Sequence, residues 1–343
     1  MLAYTDLIKK EGINCHLHEH PAYIYSDDDV NILNKENEAA LSLGLPSSME
    51  PVSISQNKAL CFRNQAQFHS KQFMFALADK IISRGSTIGE YRRVIDFDEQ
   101  NKKCVIKTKN ENYESDYIVI ATLFPIQDHF FYAMRLKPVL HHGIAYLYEK
   151  KEFDGMFIGA KGVSFRYYKD YLILVGADMA MGDNEEAYQK LDYKARKKFS
   201  VKEIKTRWSA HDLQTPDIIP FIGAYHPGSK RIFAATGFKA WGISHAMIAS
   251  KIITDLIAER DNPWTSLYSP NRTNKILPAM IERSQVALKR IISKEKRCSH
   301  MGCGLVFNNA DRTYDCPCHG SRFDEEGNVL WGPAVKKITG KKR

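Results

Sequence analysis

Two short motifs near the C-terminus, each containing cysteine and histidine, restrict this chain more than any other feature. One has the sequence Cys-Ser-His-Met-Gly-Cys at residues 298–303, and the other has Cys-Pro-Cys-His-Gly-Ser at residues 316–321. Each supplies a thiolate and an imidazole, and the 12 residues between the motifs allow two loops to close over one metal centre. A [2Fe-2S] centre in which two histidines replace two cysteines on one iron requires this ligand set.

A structural zinc ion is the alternative metal for two thiolates and two imidazoles. Zinc modules usually bring their cysteines as a close C-x-x-C-type pair, whereas each motif here offers one cysteine and one histidine. Zinc would also leave Cys303 and Cys318 without a role. The residues therefore favour the iron–sulfur interpretation and leave zinc as the second choice.

The paired patterns C-x-H-x-x-C and C-x-C-H-G resemble the motifs of Rieske iron–sulfur proteins of the respiratory-chain type. The Gly-Pro-Ala sequence at residues 332–334 resembles the proline loop that covers the cluster in that family. The resemblance implies a [2Fe-2S] cluster with exposed imidazoles that exchange electrons with a donor or acceptor protein. It implies that Cys298 and Cys316 are thiolate ligands and that His300 and His319 are imidazole ligands. It also implies a disulfide between Cys303 and Cys318.

A second set of motifs runs in order through residues 1–268. An apolar run at 117–122 is followed by a strand-like run ending in Gly-Ala at 171–177, Thr-Pro-Asp-Ile-Ile-Pro-Phe-Ile-Gly at 215–223, and a strand–glycine–helix pattern at 232–257. This series resembles the FAD-dependent oxidoreductases of the D-amino-acid oxidase and glycine oxidase type. The resemblance implies an α/β (α+β) portion with a mixed sheet, and the C-terminal motifs add a small all-β Rieske-type segment.

The resemblance also indicates where a flavin would bind. A buried strand leads to Gly237, whose missing Cβ lets the backbone approach a cofactor. Gly242 opens a helix whose N-terminal dipole favours negative charge. Leu123 stands where the family usually has glycine. The predicted flavin-binding residues are Thr122, Gly237, Phe238, Trp241, Gly242 and Ile243.

Two parts of the resembled families are not found in the sequence. The glycine-rich G-x-G-x-x-G motif that holds the ADP half of FAD occurs nowhere in the 343 residues. We therefore expect this chain to correspond to the C-terminal two-thirds of a longer flavoprotein. FAD would be bound weakly, be lost, or be bound with the help of a partner chain that supplies the missing half of its site. The Rieske segment, at about 295–343, shows little of its supporting sheet, so we expect the cluster to contribute most of its stability. The predicted domains are 1–268, a helical linker at 269–294, and 295–343.

Composition and charge limit the class of protein. No run of 18 apolar residues exists, so the sequence predicts no transmembrane helix. The N-terminus lacks a signal-peptide pattern, which favours a cytoplasmic location. The net charge of +9 lies almost wholly after residue 270, where 15 Lys and Arg oppose 7 Asp and Glu. No nucleic-acid motif accompanies this basic region, so it is either a solvated surface or a docking site for an acidic redox partner.

The resemblance implies that FAD oxidises a small amine-like substrate and that electrons pass through the cluster to an acceptor. No catalytic acid or base is predicted, because the family transfers hydride directly to the flavin and needs mainly an oriented substrate. Three arginines are candidates for holding a substrate carboxylate: Arg135, Arg166 and Arg207. Two other hypotheses stay open, namely a flavin-free electron-transfer protein and a zinc-bound or inactive remnant of a longer flavoenzyme.

Overall fold

The computed structural model describes residues 2–128, 130–160, 163–179, 182, 185–272, 276–292 and 295–338. The helices are α1 (Leu2–Glu11), α2 (Val30–Ser42), α3 (Ser70–Ser83), α4 (Tyr132–Arg135), α5 (Glu185–Lys198), α6 (Gly242–Ile257), α7 (Thr265–Tyr268) and α8 (Ile276–Ile291). The strands are β1 (His18–Tyr25), β2 (Ser48–Glu50), β3 (Ala59–Gln67), β4 (Val94–Glu99), β5 (Cys104–Thr108), β6 (Asn112–Ser115), β7 (Ile118–Ile120), β8 (Lys137–Leu147), β9 (Met156–Gly159), β10 (Ser164–Tyr168), β11 (Tyr171–Met179), β12 (Ile204–Gln214), β13 (Phe221–Ala224), β14 (Ile232–Thr236), β15 (Val306–Asn308), β16 (Thr313–Asp315), β17 (Arg322–Phe323) and β18 (Val329–Trp331).

The first of two compact units is built on a mixed sheet. The unit comprises Met1–Gly89, His141–Ala177 and Glu186–Ser209, and strands β8, β11 and β12 lie partly within it. The strand order is β12-β8-β11-β10-β9-β1-β3-β2. Strand β1 is parallel to β9 and antiparallel to β3, so the predicted mixed sheet is confirmed. Paired rings on neighbouring strands, such as Phe157 stacked on Phe165 with centroids 5.2 Å apart, pack one face.

Local sequence explains the two ends of α2. Three consecutive aspartates, at residues 27–29, precede the helix, and Gly44 follows it. The Asp29 carboxylate accepts hydrogen bonds from the N–H groups of Asn31 at 3.0 Å and Ile32 at 3.4 Å. It thereby satisfies two of the N–H groups that a helix leaves free at its start. The chain leaves the helix just before Gly44, which has a φ of +72°. Leu33 anchors the buried face of the helix.

The second unit contains three separate sheets. It comprises Glu90–Leu140, Asp178–Glu185 and Ala210–Arg343. Strands β4-β5-β6 form an antiparallel meander, in which β5 pairs with both β4 and β6. Strands β13-β14-β7 form a second sheet, against which α6 packs Ile252 and Ile253. Strands β15-β16-β17-β18 form the third sheet, in the Rieske-like segment.

Strand β7 differs from its prediction. The sequence predicts a continuous strand over 117–122 that is buried on both faces of a parallel sheet. The strand covers three residues, and within the described parts of the chain it pairs only with β14, in parallel. Ile118 and Ile120 are buried, whereas Val119 on the opposite face is 45% exposed. Side chains alternate along a strand, so apolar residues at every position do not show that both faces are covered.

The Rieske-like segment has more internal structure than its sequence indicates. Its four short strands are antiparallel and enclose a buried ionic network. The Arg322 guanidinium donates to Asp315 at 2.9 Å and to Asp311 at 2.8 Å, and Asp315 is fully buried. The cluster is expected to contribute most of the stability of this segment, and the small sheet and the ionic network add to it.

Helix α8 precedes this segment and is predicted by the helical spacing of its apolar residues. Its one buried side chain is Arg283. No helix among the described residues is long and apolar enough to cross a membrane.

Candidate metal centre and flavin-binding edge

The two cysteine–histidine loops share one backbone geometry. In the first loop, the N–H of Cys298 donates to the carbonyl of Cys303 at 2.8 Å, and the N–H of Gly302 donates to the carbonyl of Cys298 at 2.9 Å. The corresponding positions of the second loop, 316, 320 and 321, make the same two bonds at the same distances. Both loops have a glycine with positive φ before their last residue. The matched sequences thus form matched turns.

The loops bring the two predicted thiol ligands together, and likewise the two predicted imidazole ligands. The Nδ1 atoms of His300 and His319 are 3.3 Å apart. The thiols of Cys298 and Cys316 share a hydrogen bond, which lowers the pKa of Cys298 to about 7 and raises that of Cys316. A pair of thiols beside a pair of imidazoles is the donor set of a Rieske-type cluster, so the residues present fit that group.

Cys303 and Cys318 form a disulfide between the two loops, with Cα atoms 6.5 Å apart. This is the pairing that the Rieske resemblance implies. The sulfur atoms of Cys303, Cys316 and Cys318 all lie within 4.8 Å of one another, and all three residues are buried. The cross-link therefore passes directly beside the proposed ligands.

The segment that resembles the proline loop packs on both ligand loops. The N–H of Ala334 donates to the hydroxyl of Ser321 at 3.0 Å. The hydroxyl of Ser299 in the first loop donates to the carbonyl of Lys336. The segment thus ties the second loop to the first, as a covering loop requires.

The imidazoles are covered, which contradicts the expectation that they are exposed. His319 is 6% exposed and His300 is partly buried. The ring of Phe124 lies 6.1 Å from that of His300 and 5.6 Å from that of His319. Burial lowers the pKa of His300 to about 4 and that of His319 to about 3, so both rings are neutral at physiological pH. Neutral imidazole is the form that binds metal.

The sequence offers no signal for Phe124, which lies far from the motifs along the chain. Its neighbours explain its position. It follows β7 by a short turn in which the hydroxyl of Thr122 donates to the Phe124 carbonyl at 2.8 Å. Leu123 adopts a φ of +65°, a conformation that favours glycine and that accounts for the family's glycine at this position. Its carbonyl accepts a hydrogen bond from the Thr236 hydroxyl.

The predicted flavin-binding residues gather at one end of two strands. Strands β7 and β14 are parallel and in register, with Ala234 opposite Ile120. The segments that begin at Thr122 and Gly237 therefore leave the sheet at its same edge. The other predicted residues continue from that edge into the start of α6: Phe238, Trp241, Gly242 and Ile243. The side chains of Trp241 and Ile243 are each 51% exposed.

The two glycines of this edge differ in their surroundings. A Cβ on Gly237 would lie 2.6 Å from Cγ2 of Thr215, so packing against that side chain requires glycine here. This contact within the protein is a second reason for glycine here, beside the predicted approach to a cofactor. At Gly242 the nearest atom to a Cβ would be 3.9 Å away, on Phe238, which leaves the start of α6 open.

Comparison with known proteins decides the family. Residues 1–256 match the family described as FAD dependent oxidoreductase, and residues 278–340 match the Rieske [2Fe-2S] domain. The chain belongs to the FAD dependent oxidoreductase family. It carries a C-terminal Rieske domain, and the cofactors of these two parts are FAD and a [2Fe-2S] cluster. The protein is an oxidoreductase with iron–sulfur electron transfer.

Curated relatives of this FAD dependent oxidoreductase match either nearly the whole chain or a short part of it. The Bacillus subtilis (strain 168) protein YhfW, named as a Rieske 2Fe-2S iron-sulfur protein, is 26% identical over 389 residues, which cover 97% of this chain and 76% of YhfW. The cytochrome b6-f complex iron-sulfur subunit 2 of Trichormus variabilis is 51% identical over 41 residues, covering 12% of this chain and 23% of that subunit.

Solved structures show the fold of the larger part. Glycine oxidase from Geobacillus kaustophilus superposes with a TM-score of 0.69 and 18% identity, covering 79% of this chain and 80% of the oxidase. L-proline dehydrogenase from P. horikoshii superposes with a TM-score of 0.67 and 17% identity, covering 82% of this chain and 81% of the dehydrogenase. At such identities the likeness establishes the fold of the FAD dependent oxidoreductases and nothing finer.

FAD fits the residues of this family member only in part. The strand ends and the open start of α6 supply one side of a flavin site. The glycine-rich turn that would hold the diphosphate is not in the sequence. Residues 1–343 therefore hold a fragment of the family's cofactor site.

The three candidate arginines lie in different surroundings. Arg135 is 3% exposed, packs on the Phe221 ring at 4.4 Å and donates to the carbonyl of Pro270, which gives it a structural role. Arg207 lies over the Tyr188 ring at 4.9 Å. Arg166, on β10, lines a cavity of the first unit.

That cavity has a volume of about 560 Å³ and a cationic lining. Its one acidic side chain, Asp154, lies 2.8 Å from Nδ1 of His20. The Arg166 guanidinium makes neither an ion pair nor a hydrogen bond among the described residues, and burial lowers its pKa. The other basic lining residues are His16, His18, His69, Lys151 and Lys169. A cavity with this lining suits an anionic group.

Proposed function

We propose that the protein oxidises a small amine bearing a carboxylate and passes the electrons singly through its [2Fe-2S] cluster to an acceptor protein. One observation carries this proposal. The turn that begins at the flavin-binding edge with Thr122 reaches the covered face of the proposed histidine ligands at Phe124, two residues later. Such proximity suits direct electron exchange between the two cofactor sites.

The proposed ligand roles follow from the chemistry of the side chains. Cys298 and Cys316 would hold one iron as thiolates, and His300 and His319 would hold the other through Nδ1, the nitrogens that face each other. Such a cluster would supply one-electron transfer. Burial keeps both imidazoles neutral, and Phe124 keeps water away from them. The imidazole side would then receive electrons from the flavin, and the acceptor would dock on another face.

Arg166 is the proposed anchor for the substrate. FAD, when bound, takes up the two electrons that the amine loses. The guanidinium would hold the substrate carboxylate as a bidentate ion pair and thereby orient the amine. This choice rests on the surroundings of the three candidates: Arg135 is enclosed by rings, Arg207 stacks on a tyrosine, and Arg166 faces a cavity without an ion-pair partner among the described residues.

The diphosphate of FAD needs a cradle from outside these 343 residues. We propose a dinucleotide-binding module, supplied by a partner chain, that joins the open edge of β7. The position of β7 at the end of its sheet and the exposed side chains of Val119 and Trp241 support this position. We further propose a cytoplasmic location, which cell fractionation tests.

Anaerobic purification, with iron, sulfide, zinc and flavin measured on one sample, tests the proposal. We expect two irons and two sulfides per chain, and a rhombic EPR signal after reduction. Reduction of this signal by a carboxylate-bearing amine, once the flavin-binding module is added, would establish the full electron path. One zinc per chain would contradict it, and a cluster that no amine reduces would indicate a flavin-free electron carrier.

A further inference from the structure

Arg283 of α8 is a buried cation beside the second ligand loop. Its side chain is 6% exposed. Nη2 donates to the carbonyl oxygens of Pro317, at 3.1 Å, and Cys318. These two residues lie between the proposed ligands Cys316 and His319. The guanidinium therefore holds the backbone of the loop that carries both.

No carboxylate within the described residues forms an ion pair with this guanidinium. The adjacent Glu282 points to Lys137, 2.9 Å away, and Nε of Arg283 has no hydrogen-bond partner. Burying a cation without an anion is unfavourable, and burial accordingly lowers the pKa of Arg283. Two carbonyl dipoles do not supply a full negative charge, so the protein retains a positive charge next to the metal centre.

We propose that Arg283 is the counter-charge of the reduced cluster and raises its midpoint potential. This inference rests on the proposed ligand set. Adding one electron, from the reduced flavin or from a chemical reductant, makes the centre one unit more negative, and no bond forms or breaks. The attraction between opposite charges in a buried site stabilises the reduced form relative to the oxidised form. Arg283 is thus a tuning and positioning residue that does not touch the metal.

A pair of variants separates charge from anchoring. Ala279 lies one turn before Arg283, and both line a cavity of about 310 Å³ that can accommodate a longer side chain. Ala279→Glu places a carboxylate within reach of the guanidinium and leaves its bonds to the loop in place. Ala279→Gln has nearly the same size without the charge and serves as its control.

The midpoint potential is measured by an EPR-monitored redox titration with dithionite. We expect Ala279→Glu to lower the equilibrium constant for reduction about tenfold, which corresponds to 59 mV for one electron, and Ala279→Gln to leave it unchanged. Arg283→Gln should also lower the equilibrium constant for reduction. Lys289→Gln, which removes an exposed charge from the same helix, should leave this constant unchanged.

Two results would overturn the inference. Equal midpoint potentials for Ala279→Glu and Ala279→Gln, with the wild-type EPR signal present in both, would show that the charge of Arg283 does not act on the centre. A wild-type protein without the rhombic signal would contradict the proposed function, and this inference with it. If Arg283→Gln fails to assemble its cluster, the Ala279 pair still decides the matter.

Discussion

At the scale of single residues, the contacts that shape the metal centre come from side chains outside the two motifs. Phe124 covers the imidazoles, and Arg283 holds the second loop. Local spacing predicts which cysteines and histidines can share a metal, because each loop is a short turn of fixed geometry. It cannot predict Phe124, since its contact with the imidazoles depends on how the strand β7 and the Rieske domain pack together.

Replacing Phe124 with leucine should open the imidazole side to solvent. We expect a several-fold faster loss of iron to a chelator, because the smaller side chain leaves space beside both rings. Absorbance of the iron–chelator complex measures the rate. Phe97→Leu is the control, because Phe97 belongs to the same apolar core and the change should cost a similar 1–2 kcal/mol or so of stability. Equal rates for the two variants would refute a shielding role for Phe124.

Gly237→Ala tests the packing reason for that glycine. The added methyl would lie 2.6 Å from Thr215, and the positive φ of +76° adds strain, so we expect a loss of about 2–3 kcal/mol in the free energy of unfolding. Thr215→Ser removes the clashing methyl and retains the hydroxyl that donates to Ile219 at 2.8 Å.

In the double variant, part of the stability should return, leaving only the cost of the backbone conformation. Urea denaturation of the single and double variants measures both values. Additive losses would mean that Thr215 and Gly237 do not interact.

At the scale of secondary-structure elements, the Rieske domain shows what a sequence pattern can miss. Its strands have two or three residues each, too short for alternating hydrophobicity to reveal them. The buried charges of Arg322 and Asp315 resemble surface residues when read from the sequence. Helix α8, by contrast, was predictable because its apolar spacing extends over four turns. Longer elements with regular spacing are predictable, and elements defined by pairing with distant segments are not.

Arg322→Met should destabilise this domain strongly. It leaves the carboxylates of Asp311 and Asp315 without their cation, and breaking a buried ion pair in this way costs about 3–5 kcal/mol. Arg312→Met is a matched control, since Arg312 pairs with Glu325 at the surface, where a pair contributes at most about 1 kcal/mol. Thermal unfolding followed by circular dichroism compares the two. Similar melting temperatures would mean that the buried network does not stabilise the sheet.

At the scale of the whole molecule, the chain divides into two units that contain different candidate sites. The first unit is built on a mixed sheet and contains the cationic cavity. The second contains the proposed cluster ligands and the flavin-binding edge. The sequence motifs predict both cofactors, yet they divide the chain at residue 268, whereas the second unit combines the Rieske domain with parts of the oxidoreductase domain.

Removal of iron should affect the two units unequally. We expect faster amide hydrogen exchange at residues 298–321, since the metal no longer links the two loops, with unchanged exchange in β1, β9 and β10. The disulfide and the Arg322 network should keep β15–β18 protected in the metal-free protein. Exchange measured by mass spectrometry on both forms checks this, and a loss of protection in the strands of the first unit would contradict it.

The disulfide between Cys303 and Cys318 also bears on how the protein acquires the right metal. With both residues reduced, three sulfur atoms within 4.8 Å, together with the thiol of Cys298, would present a four-sulfur site that zinc favours. Oxidation withdraws two of these sulfurs and leaves two thiolates with two imidazoles. The cross-link would thus disfavour zinc during maturation, and the order of oxidation and metal insertion would then determine which cofactor the chain carries.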